Sequence, residues 1–191
     1  MTIRTFIALD LPEFVLDGII ELRDSFFENV SDLKWESRNK LHITLKFLGD
    51  TDENLMPDIS RSLAELADRY SPFSLKISKA GLFYRNGKPA ILYLDFLENE
   101  YLLRFHEEIE NIMENFGFKK ENRKFKTHLT LLRIKNDRHL NRIKNFTKLG
   151  IDLPEFISDE ITLYRSILRP AGSVYQPIES FKLNNRRNNG A

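Results

Sequence analysis

The chain has no cysteine in its 191 residues, which excludes disulfides, thiolate-metal ligation and a cysteine nucleophile. Net charge is nearly absent as well: 29 basic residues against 28 acidic ones leave +1. There is no polybasic coat to track a nucleic-acid backbone, so any RNA contact should be local. No apolar run reaches the roughly 18 residues that a membrane span needs. The opening MTIRTFIALDLPEF is too short in apolar content for a signal peptide and reads as a first strand. A cytoplasmic protein without a membrane partner is expected. Glycine is sparse, with eight residues, and no glycine-rich phosphate loop follows any strand-like segment. Histidine is rarer still, with four.

Two of those four histidines open the same tetrad, His-x-Thr-Leu: His42-Ile43-Thr44-Leu45 and His128-Leu129-Thr130-Leu131. At this composition, two copies are not a coincidence. Each lies in an apolar, β-prone run, LHITLKFLG and HLTLLRI. Alternate side chains of a strand share a face, so each His and the Thr two residues on point the same way. Two matching imidazole-hydroxyl pairs form the halves of one candidate site.

The rest of the chain repeats in the same rhythm. Strand-like runs cover about 3–9, 41–48, 73–82, 90–96, 128–134, 155–168 and 173–183. Helical periodicity fills the intervals, with Leu55, Ile59, Leu63, Leu66 and Tyr70 in one and Leu102, Phe105, Ile109, Ile112 and Phe116 in another. A first helix is expected over about 12–27, opening with Pro, and a short fourth over about 138–146. The tetrads lie 86 residues apart; Ala8-Leu9-Asp10 and Tyr93-Leu94-Asp95, each followed by a helix, lie 85 apart. LKISKAGLF also precedes EITLYRSIL by 85 residues. These offsets predict an α+β fold: a duplicated β-α-β-α-β unit, in residues 1–85 and 86–183, closed by one added strand. Two lobes with mostly antiparallel sheets would flank a central cleft, with helices outside. The last residues, 184–191, have almost no apolar content and read as a flexible tail.

Two imidazoles facing one substrate supply a general base and a general acid near neutral pH. A Thr hydroxyl can donate to an oxygen gaining negative charge. A phosphodiester suits this set, with an attacking oxygen to deprotonate, a leaving oxygen to protonate and two non-bridging oxygens to hold. Lys46 shares the face of His42 and Thr44 by strict alternation and is a candidate phosphate ligand. No His-x-His or His-x-x-x-His spacing supports zinc, and Asp50, Asp52 and Glu53 read as a turn and the acidic start of a helix. No metal and no cofactor are therefore expected. His106 and His139 read as surface residues. Trp35, Phe47, Phe83 and Tyr84 are candidate base-stacking rings, and Arg85 and Lys88 an exposed loop pair.

These residues resemble the two-histidine phosphoesterase superfamily, whose hallmark is two His-x-Thr/Ser-x motifs in a duplicated bilobal fold. The flanks resemble its branch of RNA 2′,3′-cyclic phosphodiesterases, first described as 2′-5′ RNA ligases. RTFIALDL, LKWESRNKLHITLKFLG, GLFYRNGKPAILYL and KTHLTLLR carry the likeness, with residues 161–175 as the closing segment. Thr127 stands where the family often has Pro. The resemblance implies metal-independent hydrolysis of RNA 2′,3′-cyclic phosphate ends, tRNA halves among them, to 2′-phosphomonoesters. It also implies ligation when a ribose hydroxyl replaces water. A monomer is expected. It makes His42 the proton donor, His128 the proton acceptor, and Thr44, Thr130 and Arg133 the phosphate contacts. Alternation places Arg133, five residues after His128, on the opposite strand face. Competing expectations are a relative acting on 2′-5′ oligonucleotides or a small nucleotide cyclic phosphate, and a non-catalytic RNA-binding module.

Overall fold

The computed structural model describes residues 1–170 and 172–184; residues 185–191 of the segment read as a tail lie outside them. Among the described residues, nine strands and four α-helices follow one another in two matching runs. The first is β1 (Thr2–Leu9), α1 (Glu13–Phe26), β2 (Ile43–Asp52), α2 (Met56–Ala67), β3 (Phe73–Leu75) and β4 (Ile77–Arg85). The second is β5 (Lys88–Phe96), α3 (Glu100–Asn115), β6 (His128–Arg133), α4 (Leu140–Phe146), β7 (Phe156–Ser158) and β8 (Glu160–Arg169). β9 (Gly172–Lys182) follows as the last element among the described residues.

Local chemistry explains the boundaries. Pro57 in the first turn of α2 costs nothing where the N–H would be unpaired. Asn99 caps α3 by accepting the Leu102 N–H at 3.0 Å. α3 then buries Leu102, Phe105, Ile109 and Met113, a single stripe at helical spacing. These join Leu9, Ile43, Leu63, Leu94 and Leu129 in one continuous apolar core.

Seven strands form one antiparallel sheet in the order β4-β5-β6-β2-β1-β8-β9, and β3 pairs with β7 in a second. The order exchanges strands between the runs: β4 of the first lies on β5 of the second, and β8 of the second lies on β1 of the first. The continuous runs expected over 73–82 and 155–168 are each broken, into β3 and β4 and into β7 and β8. The short first pieces leave the main sheet to pair with each other, Phe73 with Ser158 and Leu75 with Phe156. Phe73, fully buried, sits 5.4 Å from the Tyr101 ring and 5.2 Å from Phe105. Phe73→Ala should cost about 3–5 kcal/mol of unfolding free energy, measured by denaturant titration, with the midpoint moving and the slope unchanged.

Candidate active site

β2 and β6 meet at a single antiparallel pair, Ile43 opposite Leu129. Both of these side chains are fully buried in the core. Their neighbours point the other way: His42 lies beside Thr130, and Thr44 beside His128. The two tetrads thus form one two-by-two array on the sheet face away from the helices.

A β-bulge follows each Thr. Ile7 pairs with Lys46 and Ala8 with Thr44, so Leu45 is the extra residue in β2. Leu92 pairs with Leu132 and Tyr93 with Thr130, so Leu131 is the extra residue in β6. Each bulge reverses the alternation beyond it. Lys46 therefore does not share the face of His42. It is turned beneath the sheet, its side chain 1% exposed, with Nζ 2.6 Å from Glu110 Oε2. Arg133, which alternation placed on the far face, is brought round to the cleft side with its side chain 57% exposed, and its Nε donates to Glu36 Oε1 at 3.2 Å. Phe47, at the same offset from His42, is 61% exposed.

The two imidazoles have different surroundings. His128 Nδ1 is 2.8 Å from the Lys126 carbonyl. A carbonyl only accepts, so Nδ1 carries the hydrogen and Nε2 of the neutral ring keeps its lone pair. Phe83 and Tyr93 meet the His128 ring edge-to-face at 5.0 and 5.8 Å. Burial pulls its pKa below the ordinary value, opposed by the bond to Lys126. His42 stacks on Phe6 at 5.1 Å and on Tyr164 at 5.8 Å, with Tyr175 tilted at 5.5 Å. Burial lowers its pKa to about 4. Tyr164 is fixed in turn by donating to Asp10 Oδ1 at 2.9 Å. Both histidines are neutral at pH 7 in the free protein.

Several of these neighbours come from strands that no local pattern linked to the tetrads: Phe6, Tyr93, Tyr164 and Tyr175. One signal was readable. Each tetrad has a Lys two residues ahead, Lys40 and Lys126. Lys40 Nζ lies 5.8 Å above the Tyr175 ring and Lys126 Nζ 4.7 Å above Tyr93. Lys126 also donates to Tyr93 Oη at 2.7 Å and pairs with Asp95 Oδ2 at 3.1 Å. Gly81 makes room for that tyrosine, since a Cβ there would fall 2.6 Å from its ring. Of the other expected stackers, Phe83 lines the cleft. Trp35 packs at 4.8 Å on Phe27 in the core, and Tyr84 is 61% exposed. Arg85 and Lys88 are exposed at the β4–β5 turn. His106, expected at the surface, is buried against Phe125 at 3.9 Å. Asp52 accepts the Asn54 N–H at 3.0 Å at the start of a short turn. Among the described residues no three His, Asp or Glu side chains converge as a metal-ligand set.

The sequence and this geometry define a class. The LigT like Phosphoesterase family matches residues 9–93, which hold the first tetrad, and 96–175, which hold the second; the chain belongs to that family. It is 31% identical over 182 residues to the RNA 2′,3′-cyclic phosphodiesterase of Methanocaldococcus jannaschii, covering 93% of this chain and 99% of that one. A protein of the same name from Thermotoga maritima is 30% identical over 177 residues, 91% of each chain. Among solved structures, TT0787 of Thermus thermophilus shares the fold with a TM-score of 0.76, 26% identity and coverage of 94% and 97%. E. coli LigT complexed with 3′-AMP shares it at TM-score 0.73 and 22% identity, with coverage of 96% and 99%.

Burial of neutral imidazoles has a thermodynamic consequence. Below about pH 6.5 the unfolded chain takes up protons that folded His42 and His128 refuse, so stability falls with pH until His42 titrates near 4. Imidazole NMR titration of the ligand-free protein should place both midpoints below 6.5, with His42 the lower. Midpoints at or above 6.5 would contradict the burial.

Proposed function

We propose that the protein hydrolyses the terminal 2′,3′-cyclic phosphate of RNA to a 2′-phosphomonoester, with His42 as proton donor and His128 as proton acceptor. The observation that carries this reading is the Ile43–Leu129 pair, which sets both His-Thr pairs on one face of one cleft. The names of the Methanocaldococcus and Thermotoga relatives support the substrate class.

The division of labour follows from the rings. Nε2 of His128 is the nitrogen with a lone pair, because Nδ1 is committed to the Lys126 carbonyl. It takes a proton from the attacking water as oxygen bonds to phosphorus. The P–O3′ bond breaks on the opposite side, and imidazolium His42 gives its proton to O3′. His42 is neutral in the free protein, so the substrate's anionic phosphate must favour its protonation; the faces of Phe6 and Tyr164 also suit a cation. Thr44 and Thr130 donate to the two non-bridging oxygens. His128 leaves the cycle protonated and His42 neutral, and exchange with solvent resets both. These groups require no divalent metal. A ribose 5′ hydroxyl in place of water gives a 2′-5′ phosphodiester by the same steps. tRNA halves carrying cyclic ends are one substrate of this class.

A short RNA with a 2′,3′-cyclic end should be opened in excess chelator to the 2′-phosphate, resolved from the 3′ isomer. His42→Ala and His128→Ala should each lower kcat about 10²–10⁴-fold, and Thr44→Ala or Thr130→Ala roughly 10–100-fold, below the usual loss for an oxyanion donor. Wild-type turnover in either histidine variant would move the site elsewhere. The bell-shaped pH profile of kcat/KM, which reports the free enzyme, should centre below pH 6.5, because both imidazoles are depressed. The kcat profile, which reports the complex, should lie at higher pH, since bound phosphate stabilises imidazolium.

A further inference from the structure

Each tetrad is approached by a loop, and each loop is fastened to the strand of the other tetrad. The loop before β2 reaches β6 through the backbone: Glu36 N–H donates to the carbonyl of bulged Leu131 at 2.9 Å, and Trp35 bridges to Leu132. The loop before β6, residues 116–127, reaches β2 through side chains instead. Lys46 Nζ, just past the first bulge, donates to the Lys119 carbonyl at 3.0 Å and to Glu110 Oε2 at 2.6 Å. The same Glu110 oxygen accepts the Glu121 N–H at 3.1 Å. His106 lies between, its Nε2 3.7 Å from Glu110 Oε1 and its ring on Phe125. The position equivalent to Lys46 in the second strand, 86 residues on, is Leu132. The two sides are braced alike in geometry and differently in chemistry.

Such a buried ion pair is a weak source of net stability, because desolvation offsets most of the attraction. Its partners indicate another use. The loop it holds ends at Lys126, whose carbonyl fixes His128 Nδ1. We propose that Lys46 and Glu110 are positioning residues for His128: the pair anchors the 116–127 loop so that the Lys126 carbonyl stays on Nδ1 and Nε2 stays the basic nitrogen. Lys46 belongs to the strand of His42, yet it governs the other histidine. The inference rests on the proposed role of His128 as proton acceptor.

The test removes the pair as a unit. Lys46→Met alone leaves the Glu110 carboxylate buried and uncompensated, so it should be severely destabilised. Lys46→Met with Glu110→Leu leaves no unpaired buried ion and should melt within a few degrees of wild type. In that folded double variant kcat should fall about tenfold with KM within about twofold, since the base is loosened and not lost. Imidazole NMR should show the His128 titration and tautomer shifted and those of His42 unmoved. Asp95 and Lys126, the charges that face His128, are kept in every variant. An unmoved His128 in the double variant overturns the proposal, whether turnover is normal or reduced. The NMR arm needs no substrate, so it decides the positioning role even if wild-type protein fails to open a cyclic phosphate, a failure that would count only against the proposed function.

Discussion

One backbone pair sets the register between the two halves of the candidate site. Ile43 and Leu129 are the only partners joining β2 to β6 among the described residues, and both are wholly buried. A longer ladder would press the strands side by side and leave no cleft. No ladder at all would let the halves separate. A single ladder pair, with the Glu36–Leu131 hydrogen bond and the Trp35–Leu132 bridge on the approach to β2, keeps the join short. The pairing of β3 with β7 supplies a second tie, so the hinge-like contact is not left to carry the join alone.

The same face combines two imidazoles with an apolar lining. Phe6, Tyr164 and Tyr175 surround one imidazole, Phe83 and Tyr93 the other. Aromatic carbon replaces part of the water around the rings, which disfavours imidazolium. Charge on the cleft is held in reserve in other ways too. Glu36 engages Arg133, and Asp95 engages Lys126. The cations on this face therefore already have carboxylate partners.

Alternation along a strand was a sound guide as far as it went. It put each His on the face of its Thr, and it failed just past the bulge on both strands for one reason. A bulge adds a residue without leaving a mark in the sequence, and each residue past it changes sides. Lys46 and Arg133 were misplaced by that single effect in opposite directions. His106 was read as exposed because its helical neighbours are polar, whereas its burial is set by Phe125 from a distant loop. The breaks between β3 and β4 and between β7 and β8 were equally silent. The duplication was legible because it recurs at nearly constant spacing across the chain. The aromatic surroundings of each imidazole were not, since they arrive from strands far away in the sequence.

The exchange of strands between the two runs also sets an order of assembly during synthesis. β1 can pair with β2 once both have left the ribosome, but its other neighbour, β8, begins at Glu160. Tyr164 and Tyr175 come from β8 and β9, so the stacking around His42 is completed by the last strands made. The histidine nearest the start of the chain waits longest for its surroundings, while Phe83 and Tyr93 are already synthesised before His128 appears. Until the C-terminal strands arrive, the outer edge of β1 stays open, an exposed strand edge of the kind that chaperones shield in slowly closing, long-range folds.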